Sequence, residues 1–123
     1  MARKLAQSTL ARLARKLADE RERLEAIVVE FELQREQSRL TETASEHNAD
    51  PDNADGGSLA FEMEMDLSVE QNTKSLLEKV ARAEVRMEAG TYGICEISGR
   101  PIPLARLEAL PYATTTVEYA DRV

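Results

Sequence analysis

Four positions in the last third of the chain have the spacing of a four-cysteine zinc site. Cys95 is followed three positions later by Ser98, and Thr116 and Tyr119 repeat that spacing twenty-one positions further on. Structural zinc ions are held by four nitrogen or sulfur ligands, often as two CxxC pairs. Only one of these four residues is a cysteine, and hydroxyl groups are hard to deprotonate. The frame therefore predicts a zinc-finger fold that has lost its metal, and we expect no zinc and no other cofactor.

Two carboxylates, Asp52 and Asp55, form the second group that could do chemistry. They lie in a polar stretch, residues 41–58, whose composition indicates the turn between two helices. A carboxylate is a hard oxygen ligand for Mg²⁺ and a competitor for basic groups. An isolated DxxD pair is more typical of a solvated acidic turn, so the spacing alone does not establish a functional site.

Composition excludes several functional classes. The chain has 123 residues, a formal net charge of −7 and a single cysteine. The negative charge disfavours direct binding to a DNA backbone, and no apolar run approaches the roughly 20 residues of a membrane span. One cysteine fits a reducing cytoplasm. The chain lacks a glycine-rich phosphate loop, a catalytic triad and a metal-ligand cluster, so we expect a cytoplasmic protein that is not an enzyme.

Two long helices must position these groups. Residues 8–40 contain neither proline nor glycine, and their apolar side chains recur at the 3–4 spacing of a coiled-coil seam, the line of contact between two helices. The seam residues are Leu10, Leu13, Leu17, Leu24, Ile27 and Phe31. The second helix repeats the pattern with Val69, Thr73, Leu76, Val80, Ala83 and Met87. About 30 residues per helix correspond to roughly 45 Å, which predicts a long antiparallel coiled-coil hairpin.

The chain is therefore predicted to be all-α and to have two parts. Residues 1–89 form the hairpin, with a helix over about 8–40, the acidic tip loop over 41–58 and a helix over about 59–89. Residues 90–123 form a small degenerate zinc-finger head.

The junction and the core of the head follow from single residues. Gly90 suits the left-handed position just past a helix end. In place of zinc, a small apolar core is expected from Ile94, Ile97, Ile102, Leu107, Val117 and Tyr119. Toward the tip, Met63 and Leu67 are candidates for the seam, but Asp66 fits it poorly. The tip end of the hairpin should therefore be looser than the head end.

The residues around Cys95 resemble a known family. GTYGICE, GRPIP and RLEALPYAT match the head of the DksA/TraR family, and the resemblance covers roughly residues 50–119. These bacterial proteins combine a coiled coil with a four-cysteine head and bind RNA polymerase in its secondary channel. The resemblance implies a monomeric transcriptional regulator with RNA polymerase as its partner. It would modulate open-complex stability and initiation.

The resemblance also implies roles for single residues. The family has an acidic D-x-x-D-x-A motif near the polymerase active centre, which falls on Asp52, Asp55 and Gly57, with glycine in place of alanine. The family also binds guanosine tetraphosphate between its own basic residues and the polymerase. Lys79 keeps one of those basic positions, whereas Leu110 and Ala120 occupy two others without charge.

We therefore expect weak nucleotide synergy at most, with a pocket rebuilt from Arg100 or Arg106 as the alternative. Lys79 and Arg106 are candidate contacts to the polymerase or the nucleotide. The other basic residues of the second helix, together with Glu70, Glu78 and Glu84, are predicted to form a salt-bridged outer face; they are Lys74, Arg82 and Arg86.

Two other functional classes stay open. One is a coiled-coil adaptor for a different protein, which would be favoured if changes at the tip had no effect on transcription. The second is a transcript-cleavage accessory factor, in which the tip acids hold a second Mg²⁺ for the nuclease activity of the polymerase. RNA cleavage in stalled complexes would favour that class.

Overall fold

The computed structural model describes residues 5–45 and 56–122. Its elements are two long helices, α1 (Gln7–Ser45) and α2 (Gly56–Ala89), a short helix α3 (Leu104–Ala109) and a final 3-10 helix (Val117–Arg122). Within these ranges strand-like pairing is limited to an isolated bridge between Ile94 and Pro101. The prediction of an all-α hairpin with a small head is confirmed. None of the helices described is long and apolar enough to cross a membrane.

Ion pairs between α1 and α2 reveal the direction in which the two helices run. Arg21 Nη2 lies 2.6 Å from Glu84 Oε1, and Arg35 pairs with Glu70. A step of fourteen residues forward along α1 is therefore matched by fourteen residues backward along α2. The helices are antiparallel and form the predicted hairpin.

The seam is buried over the half of the hairpin nearer the head. Its fully buried residues are Leu13, Leu17, Leu24, Val80 and Ala83. Leu10, Leu76 and Met87 pack against them. Residues spaced three, four and seven apart lie on one face of a helix, which is why the heptad pattern identified these positions correctly.

The seam prediction is wrong at Val69, whose side chain is 48% exposed. Glu70 takes the buried place beside α1, together with Thr73 one turn further on. The prediction that Glu70 belongs to the solvated outer face is therefore also wrong. Met63 and Leu67 are more than half exposed, so the seam does not continue through them toward the tip.

Both long helices extend into the stretch predicted as the tip loop. α1 continues to Ser45, and α2 begins at Gly56. Residues 41–45 contain neither proline nor glycine, and lengthening an existing helix by one residue costs little free energy. Gly57 lies in the first turn of α2, where backbone N–H groups need no helical partner.

The chain leaves α2 through the predicted glycine. Gly90 has a φ of 79°, and its N–H donates to the carbonyl of Met87 at 3.2 Å. The N–H of Thr91 donates to the carbonyl of Arg86 at 2.9 Å. These two bonds form a Schellman motif, which satisfies the last carbonyls of the helix and redirects the backbone into the head.

The core of the head agrees with the prediction in part. Ile102 and Leu107 are completely buried, and Ile94 and Tyr119 are half-buried. The core cluster of the head contains three further buried hydrophobic residues that the prediction did not include: Tyr92, Cys95 and Ala113.

Two predicted core residues face solvent instead. Ile97 is 43% exposed and Val117 is 68% exposed. Ile97 belongs to a tight turn that the N–H of Gly99 closes on the carbonyl of Cys95 at 2.9 Å. Val117 begins the final 3-10 helix. Neither element is long enough to turn all of its apolar residues inward.

Charged contacts fasten the head to both helices. Glu108 of α3 lies 2.5 Å from Arg12 Nη2 and 2.9 Å from Lys16 Nζ. On the other helix, Arg82 Nε lies 3.1 Å from Glu96 Oε2. Arg86 donates to the carbonyl of Ile94 at 2.9 Å, so it turns toward the head rather than toward solvent as predicted.

Candidate functional site

The residues of the degenerate zinc frame converge around the Cys95 sulfur. The backbone N–H of Ser98 lies 3.4 Å from Cys95 Sγ, and Thr116 Oγ1 lies 3.8 Å from it. The N–H of Tyr119 donates to the carbonyl of Thr116 at 3.1 Å. Ser98, Thr116 and Tyr119 also line one shallow cleft at the surface of the head. The four residues that are spaced like zinc ligands in the sequence therefore lie close together in the structure.

Hydrogen-bond donors surround the buried thiol of Cys95. Cys95 is 1% exposed, and this burial disfavours the thiolate and raises its pKa. Hydrogen bonds from Ser98, Thr116 and Ile97 outweigh the effect of burial and lower the pKa of Cys95 to about 6. The polar groups around the sulfur thus stabilise a negative charge on it.

The residues present do not fit a structural zinc ion. Zinc in such sites takes four thiolate, imidazole or carboxylate ligands. Among the described residues no group of three or more His, Cys, Asp or Glu side chains could hold a metal ion. Ser98 and Thr116 stand at ligand positions but act as hydrogen-bond donors to the sulfur.

Arg106 and Lys79, the two candidate cationic contacts, have different surroundings. Arg106 is half-buried, and its Nε donates to the carbonyl of Thr115 at 2.9 Å. Its guanidinium therefore supports the loop that carries the degenerate frame. Lys79 is exposed, and no ion pair joins it to any residue in the described ranges, whereas Lys74 and Arg82 on the same helix are paired.

The two uncharged positions of the expected nucleotide pocket have different environments. Leu110 is half-buried and packs against the core of the head. Ala120 is exposed on the final 3-10 helix. Hydrogen bonds from the backbone of Glu118 and from the side chain of Thr116 lower the pKa of Glu118, and Arg100 and Arg106 add smaller contributions. Arg100 itself is exposed.

Only part of the acidic tip lies within the described residues. Asp52 and Asp55 lie outside the described residues, and Gly57 is placed in the first turn of α2. A helix of 34 residues is about 51 Å long at 1.5 Å per residue. The end of α2 that adjoins these aspartates is therefore far from the head.

Sequence reasoning missed the contacts that hold the site in place. Tyr92 is 4% exposed, and its hydroxyl donates to the carbonyl of Pro111 at 2.8 Å. Glu108 links α3 to α1 across 92 positions of sequence. Neither contact has a local signal, because a single tyrosine or glutamate in a loop or short helix has no periodicity to interpret.

Two comparisons bear directly on this architecture. A family model, the prokaryotic dksA/traR C4-type zinc finger, matches residues 90–118. The solved structure of transcription factor DksA2 from Pseudomonas aeruginosa matches with a TM-score of 0.66 and 26% identity, over 94% of this chain and 83% of that one. The chain belongs to the DksA/TraR family. A second structure, Dks from Chlamydia trachomatis, has a TM-score of 0.57 at 24% identity over 97% of this chain and 91% of that one.

Curated relatives of this DksA/TraR member share about half of their length with it. General stress protein 16O of Bacillus subtilis is 44% identical over 86 residues, which are 68% of this chain and 53% of that protein. The RNA polymerase-binding transcription factor DksA of Caulobacter vibrioides is 42% identical over 71 residues, which are 58% of this chain and 50% of that protein. The chain thus spans about half the length of both relatives.

Proposed function

We propose that this protein binds RNA polymerase directly, with its hairpin in the secondary channel, and regulates transcription initiation. The observation that supports this most strongly is the hairpin with its attached head, which matches transcription factor DksA2 over 94% of the chain. The identity of 42% with a protein named as an RNA polymerase-binding transcription factor supports the same partner. The protein would work in the cytoplasm, as a monomer and without chemistry of its own.

The architecture suggests how binding and regulation are divided. The head and the sides of the hairpin offer most of the surface, so they would supply affinity for the polymerase. Asp52 and Asp55 would add negative charge at one place near the active centre. A factor that binds two promoter complexes with different affinity shifts their populations, so promoters with short-lived open complexes should respond most.

The test separates regulation from binding. Asp52→Asn and Asp55→Asn should lose the effect on transcription in vitro while retaining nearly the wild-type affinity for RNA polymerase. Glu64→Gln, which removes an exposed acid on α2, is the matched control and should behave like wild type. If the tip variants lost binding and regulation together, the tip would be only a docking contact, and the proposed division of roles would be wrong. Stimulated RNA cleavage in stalled complexes would instead favour a transcript-cleavage factor.

Guanosine tetraphosphate should add little to this regulation. Lys79 is available for a phosphate or a polymerase carboxylate, but Leu110 and Ala120 offer no charge. Each lost charge-assisted contact is worth about 1.5–3 kcal/mol, so two would weaken the joint site roughly a hundredfold or more. Strong enhancement by the nucleotide that disappears in Lys79→Ala would contradict this expectation. The measurement needs a polymerase whose other nucleotide site has been disabled.

A further inference from the structure

A groove separates α1 from α2 in the half of the hairpin nearer the tip. It encloses about 660 Å³. Apolar and charged side chains line it, chiefly Phe31, Arg35, Met63, Asp66, Leu67 and Glu70. Every residue described from 32 to 41 and from 60 to 69 is exposed. The two helices therefore lie side by side here without burying a core between them.

The sequence of α2 explains why this groove stays open. From Phe61 to Glu70 large apolar residues alternate with polar ones, whereas the faces of a helix repeat every 3.6 residues. The alternation therefore spreads apolar side chains around the helix instead of gathering them toward α1. Met63 and Leu67 line the groove, while Phe61 and Met65 do not and are 64% and 53% exposed.

The groove also contains more acids than bases. Glu32, Glu36, Asp66 and Glu70 line it, against Arg35 and Arg39. Both arginines are already engaged, Arg35 with Glu70 and Arg39 with Glu36. Asp66 is exposed, and within the described ranges it forms no ion pair.

Glu70 adds a buried polar atom on the same side. Its side chain is 4% exposed, and Oε1 accepts a hydrogen bond from Arg35. Oε2 is buried as well, and the ammonium group of Lys74 lies 3.3 Å from it. Both oxygens of Glu70 therefore already face a cation. Asp66 is exposed and has no ion pair within the described ranges, so it is the acid of this wall that can accept a further cationic donor.

We propose that this groove docks a short helical segment of RNA polymerase that presents an arginine or lysine beside an apolar side chain. The proposal rests on the proposed function for the identity of the partner. The apolar neighbour would cover Met63 and Leu67. The cationic group would pass the ring of Phe31 and reach the exposed carboxylate of Asp66.

The dimensions and the chemistry agree with such an occupant. The α1 wall runs from Phe31 to Arg39, eight residue steps or about 12 Å, which accommodates about two turns of a helix. A guanidinium or ammonium group gains from an aromatic face as well as from carboxylates. Filling the groove would also remove exposed leucine and methionine surface from water.

The experiment measures binding of the full-length protein to purified core RNA polymerase. Leu67→Ala should weaken binding about tenfold, as expected for an apolar contact at the centre of an interface. The matched control is Leu33→Ala. Leu33 is 59% exposed and Leu67 is 51% exposed, but Leu33 does not line the groove. The control should change the affinity less than about twofold.

A second pair of variants tests the cationic contact. Asp66→Asn should weaken binding and reduce its dependence on salt concentration, because it removes an acid from the groove. Glu64→Gln removes an acid two residues away that does not line the groove, and it should leave both quantities unchanged. Circular dichroism should give wild-type helix content for all four variants, since all four side chains are exposed.

Three outcomes would overturn the inference, each in a different way. Equal affinities for Leu67→Ala and Leu33→Ala, with tight binding by the wild type, would exclude the groove and leave the proposed function intact. Equal losses for Asp66→Asn and Glu64→Gln would reduce the cationic contact to general charge attraction and overturn that part of the proposal. No binding by the wild type would overturn the groove and the proposed function together.

Discussion

The two halves of the hairpin have opposite characters. The half nearer the head, together with the head itself, is called the head half. Among the described residues it contains every large side chain that is fully buried; examples are Leu17, Val80 and Leu107. The half nearer the tip, the tip half, consists of the described residues 28–41 and 60–70. It buries Glu70 and leaves apolar residues such as Leu33 and Phe61 exposed. Stability and exposed binding surface are therefore concentrated at opposite ends of one pair of helices.

The head accounts for this difference. Two helices alone bury only a narrow stripe between them, whereas a third layer can cover both. Tyr92, Ile102 and Leu107 belong to the same core as Leu13 and Leu17 of α1. The tip half has no such layer among the described residues, so its apolar side chains stay available to a partner.

The largest expected effect on stability comes from shortening a buried side chain in the core of the head half. Leu107 is completely buried, and Leu107→Ala should lower the free energy of unfolding by about 2–5 kcal/mol, because it removes apolar contacts and leaves a cavity. Leu33→Ala in the tip half should change it by less than about 0.5 kcal/mol. Chemical denaturation followed by circular dichroism measures both. Similar losses for the two variants would contradict the division between the halves.

The sequence allowed the head half to be predicted better than the tip half, for a physical reason. Leu17, Leu24 and Val80 follow a heptad, and buried coiled-coil positions impose that period. The period near Val69 is instead 2, and the position that meets α1 holds a charged residue, Glu70. Burial there depends on a cation from the opposite helix, which a local pattern does not reveal.

The head was predictable in outline and not in detail. The spacing from Cys95 to Thr116 placed two distant residues together, because the fold retains the geometry of a metal frame. The same spacing does not predict the burial of Tyr92, whose hydroxyl donates to the carbonyl of Pro111, nineteen positions further along the chain. Short turns also let Ile97 face solvent. In such loops the burial of a residue depends on its tertiary contacts, whereas in the helices it can be predicted from the sequence period.

Removing one hydroxyl should have a smaller effect within the head half. Tyr92→Phe deletes the buried hydrogen bond to the carbonyl of Pro111 and should cost about 1–2 kcal/mol, since that carbonyl loses its donor. Burial, with a contribution from Glu108, raises the pKa of Tyr92 from 10.0 to about 12. The unfolded chain therefore releases this proton first.

The same pKa gives a second measurement for this variant. Between pH 10 and 12 the wild type should lose stability, because deprotonation favours the unfolded chain there. Tyr92→Phe has no proton to release, so its stability should fall less over that interval. Equal slopes for the two proteins would indicate that Tyr92 titrates normally and that its hydroxyl is not held in the core.

The stabilisation by Glu70, at the boundary between the two halves, should weaken at acidic pH. The hydrogen bond from Arg35, opposed by burial and helped by Lys74, holds the pKa of Glu70 below its ordinary value of 4.5. The ionised form is thus favoured in the folded protein. Its contribution is complete above the unfolded pKa and is lost as pH falls through the lower folded value.

Glu70→Gln is the variant that tests this contribution. Its melting temperature should lie below that of the wild type at pH 7, and the difference should shrink at pH 3. Glu64→Gln, at an exposed acid of the same helix, is the control and should follow the wild type at both values. A difference for Glu70→Gln that persists at pH 3 would point to lost packing instead of lost charge.

The smallest expected effect is that of a chelator. Metal binding supplies much of the folding free energy of small zinc domains, and chelators unfold them. Here Ser98 and Thr116 donate hydrogen bonds to Cys95, and the core around Ile102 and Leu107 is closed by side chains. The melting temperature should therefore be the same with and without EDTA, and elemental analysis should find far less than one zinc per chain.

Restoring the missing thiols provides the matched comparison. A variant carrying Ser98→Cys, Thr116→Cys and Tyr119→Cys would place thiols at all four positions of the frame, and the backbone already brings Ser98 and Thr116 to the Cys95 sulfur. It should bind about one zinc per chain and melt at a lower temperature after chelation. About one zinc per wild-type chain, with a chelator-sensitive head, would show that this frame still depends on metal. A triple variant without zinc would show instead that the degenerate frame has drifted away from tetrahedral geometry.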